Sequence, residues 1–366
     1  MAGMTWHYLQ YCLGLKKLGH DVFYYEDSGD SEYCCYNPEK DTTDSNPAYG
    51  LNYASTIFET FGLKNNWAYF DKHTNVFYGT GEHQAKKIIS ESDVMINISI
   101  ANPIRSWLEK IPAKILIDTD PVFTQIRNLS DPKRNALCSS HNYFFTFGEN
   151  FGNKDCLIPD DGFNWKPTRQ PIDLDAWEVS QQTPDKKWTT IMQWDSYNEQ
   201  SFEGRTFGMK SKSFQQFIDI PQKINTENFL LATGAAPDEL LNSHGWSVVN
   251  SLQISKTIQT YQDFITSSKG EFSVAKHGYA SANSGWFSER SACYLASGKP
   301  VIMQETGYSK FLPTGHGLLP FDNSDEAINS IHEISSGYKY HCKNARLLAE
   351  EYFNSDKIMN DILNNL

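Results

Sequence analysis

Between Gly270 and Phe321 the chain reads GEFSVAKHGYASANSGWFSERSACYLASGKPVIMQETGYSKFLPTGHGLLPF. This is a succession of strand, glycine-rich loop, helix, strand and loop, and it leaves few folds open. Glu271 to Lys276 alternates apolar and polar side chains, and Gly278, Ser281, Asn283, Ser284 and Gly285 crowd the next stretch, so a strand followed by a turn is predicted. Ser288 to Ser297 fits a helix that Gly298 stops. Pro300-Val-Ile-Met is then a buried-strand run ending in the polar Gln304-Glu305-Thr306-Gly307. In open α/β sheets ligands sit beyond the carboxyl ends of the strands, and both polar loops fall there.

At these residues the stretch resembles the C-terminal half of GT-B glycosyltransferases. There a glycine-rich loop and a helix precede A-x-G-x-P-V-I and a further glycine loop, and here that motif is Ala296-Ser-Gly298-Lys-Pro300-Val-Ile. The likeness extends more loosely over the whole chain, from the helix start at Gly3-Met4-Thr5-Trp6-His7 to a final helix. It implies an α/β fold of two Rossmann-like domains facing a cleft. A nucleotide-sugar donor would bind in the C-terminal domain and an acceptor in the N-terminal one, with no bound metal and no cofactor. Many retaining members place a ribose-binding Glu five residues before the glycine of the motif, where this chain has Cys293. Plant-type members write Gly-Trp-Asn-Ser and then a Glu, against Gly285-Trp286-Phe287-Ser288-Glu289 here. Glu289, one helical turn before Cys293, is the candidate substitute for the ribose ligand.

At 366 residues the chain exceeds a single core of ordinary size, and two domains are expected. The first is assigned 1–180, with a C-terminal helix at about 345–366 packing back on it, and the second 186–344. Pro159, Pro167, Pro171 and Pro184 punctuate the linker between them. No apolar run is long enough for a membrane span, which leaves only peripheral membrane contact open. Seven cysteines, odd in number and without a CxxC pair, favour reduced thiols and a cytoplasmic setting. A net charge of -12 argues against a broad nucleic-acid surface, which needs clustered Lys and Arg, yet allows a local basic pocket for a diphosphate.

Thr5 to Leu18 reads as an amphipathic helix closed by Gly19, and Asp21 to Glu26 as a strand. In GT-B proteins that helix follows a first strand, whereas only Met1-Ala2-Gly3 stand before it here. The expectation is an N-terminal sheet whose first strand is missing, through a misplaced start or by design, and such a sheet exposes two unpaired edges. Residues 28–52 read as a long loop carrying Tyr33, Tyr36 and Tyr49, either an acceptor-binding element or a surface excursion. Strands are expected at 93–99, 114–118, 141–147, 189–194, 228–233 and 246–250. Helices are expected at 212–218, 255–266 and 325–335, and one long helical pattern at 342–366.

Glycosyl transfer demands positive charge against the leaving diphosphate. Arg205 and Lys210, with Lys212 close by, follow the first strand of the second domain and are candidates for it; ordinary surface cations are the alternative. Ser284, Gly285 and Ser288 are candidate phosphate ligands where a helix begins. Arg290 and His277 read equally as structural residues, and Glu305, Thr306 and Gly307 are placed for sugar hydroxyls. An inverting enzyme needs a general base near the acceptor, for which Asp118, Asp120, Glu149 and His7 are candidates, whereas a retaining one needs none. Gly3, Met4 and Thr5 form the acceptor-side loop. Asp118-Thr119-Asp120 spells D-x-D, a metal-binding pattern in the other glycosyltransferase fold, but the two-domain pattern argues against that use. Two further readings stay open: a sugar-nucleotide epimerase or hydrolase on the same scaffold, and a non-catalytic sugar-nucleotide-binding protein.

Overall fold

Helix Ala2–Lys17 buries Trp6, Leu9 and Leu13, and Gly14 lies on it where a Cβ would stand 2.9 Å from Ser355 Cβ. The missing side chain lets the C-terminal helix Ser355–Asn364 cross at close range, burying Ile358, Met359 and Ile362. Residues 1–182 and 186–366 are described by the computed structural model of the protein; Pro184 of the expected linker lies outside them.

In the N-terminal half the first helix leads to β1 (Tyr24–Asp27), the hairpin β2 (Cys35–Asn37) and β3 (Thr42–Asp44), and helix Ala48–Thr60. Then come β4 (Trp67–Asp71), β5 (Val76–Gly79), helix Glu82–Ser90, β6 (Val94–Ile98), β7 (Ala113–Asp118), β8 (Tyr143–Thr146) and β9 (Trp165–Pro167). The expected long loop at 28–52 thus contains a hairpin and the start of a helix, which Asp44 and Asn46 introduce by accepting backbone N–H groups two residues on.

These strands form two sheets, β1-β4-β5 and β6-β7-β8-β9, with β1 and β6 at facing edges. The break falls where the first strand of the sheet was expected to be missing. Asn102 and Arg105, from the loop after β6, span it, Arg105 by a two-armed ion pair with Asp27. Asn102 Nδ2 donates to Tyr25 O at 3.1 Å and Asp27 N–H donates to Asn102 Oδ1 at 2.8 Å, as a neighbouring strand would do. On its other side Asn97 Nδ2, from β6, donates to Asn102 O at 2.8 Å.

The C-terminal half carries β10 (Trp188–Gln193), β11 (Gln200–Phe202), β12 (Arg205–Phe207), β13 (Phe229–Gly234), β14 (Ser247–Asn250), β15 (Gly270–Ser273), β16 (Val301–Gln304) and β17 (Leu318–Phe321). Its main sheet has the order β14-β13-β10-β15-β16-β17, parallel throughout, and β11 with β12 makes a separate hairpin. β15, β16 and β17 are buried on both faces and β10 and β13 largely so, whereas the edge strand β14 is not. The strand order reverses between β10 and β15, which marks the crevice where such sheets bind ligands. Pairing there covers only Trp188 with Gly270 and Thr189 with Glu271, so the two strands diverge toward their carboxyl ends.

One hydrophobic core joins Trp6, Phe123 and Ile172 of the N-terminal half to Tyr261, Tyr279 and Trp286 of the C-terminal half, while a second core lies within the C-terminal half. The expected single helix at 342–366 is two helices, Tyr338–Tyr352 and Ser355–Asn364, broken at Asn354, whose side chain caps the second. The first of the pair lies on helix Glu289–Ala296 and the second on helix Ala2–Lys17. Among the described residues, no helix is long and apolar enough to cross a membrane.

Candidate active site

The chain leaving β10 runs through the β11–β12 hairpin and returns to the crevice at Met209, where the short helix Lys210–Phe214 begins. Burying Met209, Ser213 and Phe214 carries Lys210 inside with them, to 8 % exposure. Among the described residues its ammonium makes no hydrogen bond and no ion pair. Burial drives the lysine pKa well below its ordinary value, and the charges of Arg290 and Lys276 push the same way, while Glu271 and Glu289 oppose them. A buried cation without an anionic partner at the carboxyl end of the sheet is a site suited to an anion.

A second cluster crosses the cleft. Asp120 stands on the loop after β7, in the N-terminal half, and four donors converge on its carboxylate. Lys276 Nζ reaches Oδ1 at 2.8 Å, Tyr279 OH reaches Oδ1 at 2.5 Å, Tyr197 OH reaches Oδ2 at 2.6 Å and Arg127 reaches Oδ2 at 3.1 Å. Although burial raises its pKa, Lys276 and Arg127 outweigh burial and hold the carboxyl below its ordinary range. Lys276 also lies over the rings of Phe123, Tyr197 and Tyr279, at 4.5 to 5.2 Å from their centroids. Phe123 is fully buried against Gly278, where a Cβ would meet its Cζ at 2.5 Å. Just before it, Val122 sits at φ +75°, a region a β-branched residue rarely enters.

The other acid and base candidates are engaged elsewhere. Asp118 is buried and accepts from Asp120 N–H, Gln125 and Thr146, so it shapes the loop that carries Asp120. Burial raises its pKa despite those bonds. Glu149 takes both arms of the Arg169 guanidinium at 2.5 and 2.6 Å. His7 is buried on the first helix, its Nδ1 3.7 Å from Glu289 Oε2. That distance brings the first helix and the start of helix Glu289–Ala296 together at the cleft. Gly3, Met4 and Thr5, expected in an acceptor-side loop, lie instead in the first turn of helix Ala2–Lys17, where Met4 is half exposed, Thr5 shares a hydrogen bond with Tyr53 and Gly3 approaches Tyr261.

Among the donor candidates, Arg205 stands exposed on the hairpin. Arg290 fills the gap where β10 and β15 diverge, donating to Glu271, to Ile191 O and to Ser273 Oγ, so three of its five N–H groups are used on the sheet. His277 Nδ1 accepts from Gly208 N–H, and burial and then Lys212 lower its pKa. Ser284 and Gly285 face the N-terminal half: Ser284 O accepts from Asn150 N–H, and at Gly285, with φ +77°, a Cβ would stand 2.5 Å from that nitrogen. Ser288 is buried at the start of helix Glu289–Ala296, while Glu289 is one-third exposed in its first turn. Glu305 Oε1 accepts from the N–H groups of Thr306 and Gly307, and Thr306 Oγ1 donates to Trp286 O, tying the two polar loops together.

Sequence reasoning passed over Arg127, Tyr197, Lys276 and Tyr279. The signal for Lys276 was its position directly before the glycine-rich loop; the other three carried none, since only folding across the cleft unites them.

No family model matches the sequence, and no curated protein does. Solved structures do match in shape. Sucrose-phosphate synthase from Thermosynechococcus elongatus superposes with a TM-score of 0.55 at 11% identity, over 97% of this chain and 90% of that one. An alpha-glucosyltransferase in complex with UDP-glucose and DNA containing an abasic site gives 0.55 at 11% identity, over 99% and 95%. Anabaena HepE in complex with UDP-glucose gives 0.54 at 11% identity, over 94% and 98%. The fold of the chain is GT-B. In GT-B terms the β10–β15 crevice lies in the C-terminal Rossmann-like sheet, and the Asp120 cluster lies between the two halves.

Proposed function

We propose that the chain is a glycosyltransferase that moves a sugar from a nucleoside-diphosphate donor to an acceptor hydroxyl. The observation that carries the reading is Lys210, a lysine only 8 % exposed whose ammonium has no anionic partner among the described residues, at the switch point of the C-terminal sheet. Such a charge is costly to keep unless a ligand completes it. A diphosphate does so, and the same ammonium offsets the charge that grows on the leaving group as the glycosidic bond breaks. The structural neighbours support a sugar nucleotide as the ligand, because two of them are named with UDP-glucose.

In this reading Ser288 and Glu289, at the start of helix Glu289–Ala296, face the ribose. Glu305, Thr306 and Gly307 face the sugar, with Glu305 offering the carboxylate oxygen its own loop does not use. The acceptor enters beside Gly3, Met4 and Thr5. Residues 1–180 with the last helix form the acceptor domain and 186–344 the donor domain. Transfer proceeds without a metal, since Lys210 and its cationic neighbours supply the positive charge. The free cysteines fit a cytoplasmic setting.

The test is a thermal-shift and calorimetric screen of the full chain against UDP, GDP, CDP, ADP and dTDP. Saturation at about 100 Kd with one of them raises stability by roughly 2.7 kcal/mol, and Lys210→Met abolishes the shift. A chain that melts cooperatively and responds to none of the five sinks the donor reading. With a donor sugar in hand, turnover without any acceptor would point instead to an epimerase or hydrolase.

A further inference from the structure

Cys34 and Cys35 are neighbours in sequence, and their sulfurs lie 3.5 Å apart. An extended chain does not give that contact, because successive side chains of a strand point to opposite faces. Cys35 opens β2 whereas Cys34 precedes it, and the chain brings both sulfurs to one side there. Both thiols are free and only partly buried, and the adjoining Tyr33 is 76 % exposed, so a small reagent can reach them. Cys12, Cys138, Cys293 and Cys342, by contrast, are buried. Cys35 Sγ also lies 3.5 Å from Tyr69 OH on β4. Because β2 pairs with β3 alone, this sulfur is a side-chain tie between the hairpin and the sheet β1-β4-β5. A disulfide between adjacent residues is strained, since their Cα atoms stand about 3.8 Å apart against roughly 4.4–6.8 Å in ordinary disulfides, and a strained disulfide is easily reduced again.

We propose that Cys34 and Cys35 are a reversible modification site, a vicinal dithiol that a small disulfide of the glutathione class closes into an intramolecular disulfide. The Cys34 thiolate attacks one sulfur of the reagent, breaking its S–S bond and releasing one thiolate. Cys35 then attacks Cys34 Sγ in the mixed disulfide, forms the Cys34–Cys35 bond and releases the second thiolate. Two electrons pass from the pair to the reagent, which leaves as two thiols carrying the two protons. Burial pushes the Cys35 thiol up to about 11, which makes it a poor first nucleophile and leaves the opening step to Cys34. Closure draws Cys35 Sγ toward Cys34 and off Tyr69, loosening a hairpin that two strands alone hold weakly. The hairpin runs on into helix Ala48–Thr60, whose Tyr53 shares a hydrogen bond with Thr5 of the first helix, so the modification acts on the N-terminal half. Where thiols are kept reduced, a disulfide of this kind is transient and senses the redox state. None of this chemistry depends on the donor.

The experiment incubates the full-length protein with oxidised glutathione and follows it by intact mass and by peptide mapping without reductant. The wild type is expected to lose two hydrogens, with the loss confined to the peptide that carries both cysteines and reversed by excess reduced glutathione. Cys35→Ser is expected to stop at a stable glutathione adduct on Cys34. Cys34→Ser is expected to react roughly tenfold more slowly than Cys35→Ser, because only the high-pKa thiol remains. In hydrogen–deuterium exchange the oxidised wild type is expected to expose the amides of β2 and β3 faster than the reduced one. A glutathione adduct that persists on the wild type, a disulfide joining two molecules, or no reaction overturns the site. Equal rates in the two serine variants overturn the order of attack, and unchanged exchange in the hairpin overturns its loosening.

Discussion

At the scale of the residue, the cost of Lys210 has a definite pH signature. In the unfolded chain this lysine keeps its proton up to about the ordinary 10.5, whereas burial makes the folded chain release it earlier. Between those two values the unfolded state binds more protons, so this residue makes stability rise with pH. Lys210→Met, close in volume and uncharged, is therefore expected to be more stable than wild type near neutral pH by roughly 1–3 kcal/mol, the cost of a buried polar group without a partner. The gap is expected to close as the pH approaches 10.5. Urea unfolding of both proteins across that range measures it, and taking the difference cancels the tyrosines and cysteines that titrate in both. A constant gap would mean that the lysine keeps its proton throughout.

At the scale of the element, the loop after β7 is shaped by what it must reach. Asp118 fixes its base, Val122 accepts an unfavourable backbone angle, and Phe123 is driven into the face presented by Gly278. Gly278→Ala places a methyl group against a rigid, buried ring. The expected cost is about 1–3 kcal/mol with a larger radius of gyration, read by urea unfolding and scattering. A neutral result would show that the ring shifts freely.

This loop also shows where sequence reading stopped. The strands β7, β13 and β16 were legible because burial writes apolar runs, β15 because apolar and polar side chains alternate before a glycine-rich turn, and the A-x-G-x-P-V-I motif marked the helix before β16. Asp118 and Asp120 drew notice as carboxylates ending a strand, but what each one touches was not written in the neighbouring residues. Asp118 turns back on its own loop, and Asp120 meets side chains 77 and 156 residues further along. Arg290 shows the same limit. Its place at a helix start left phosphate and structural readings equal, and the contacts it makes where β10 diverges from β15 are invisible in one dimension.

At the scale of the whole molecule, the halves meet along several seams. The contacts of Asp120 with Lys276, Tyr279 and Tyr197 are one. Another joins Asn150 to Asn283 and Ser284, and Lys310 to Asp155, while the C-terminal helix Ser355–Asn364 returns to the first helix. The N-terminal half carries a further seam inside itself, the gap between β1 and β6 that Asn102 spans. A sheet normally unfolds as a unit because each strand guards its neighbour's amides. Here that mutual protection is interrupted, and one carboxamide guards the Asp27 amide where a strand's backbone would stand. In hydrogen–deuterium exchange, Asp27 and Ile96 are expected to exchange ahead of the amides of β7 and β10, and Asn102→Ala is expected to hasten Asp27 further while leaving the C-terminal sheet untouched. The half proposed to receive the acceptor would then be the half that breathes, loosening along a line held by side chains instead of backbone.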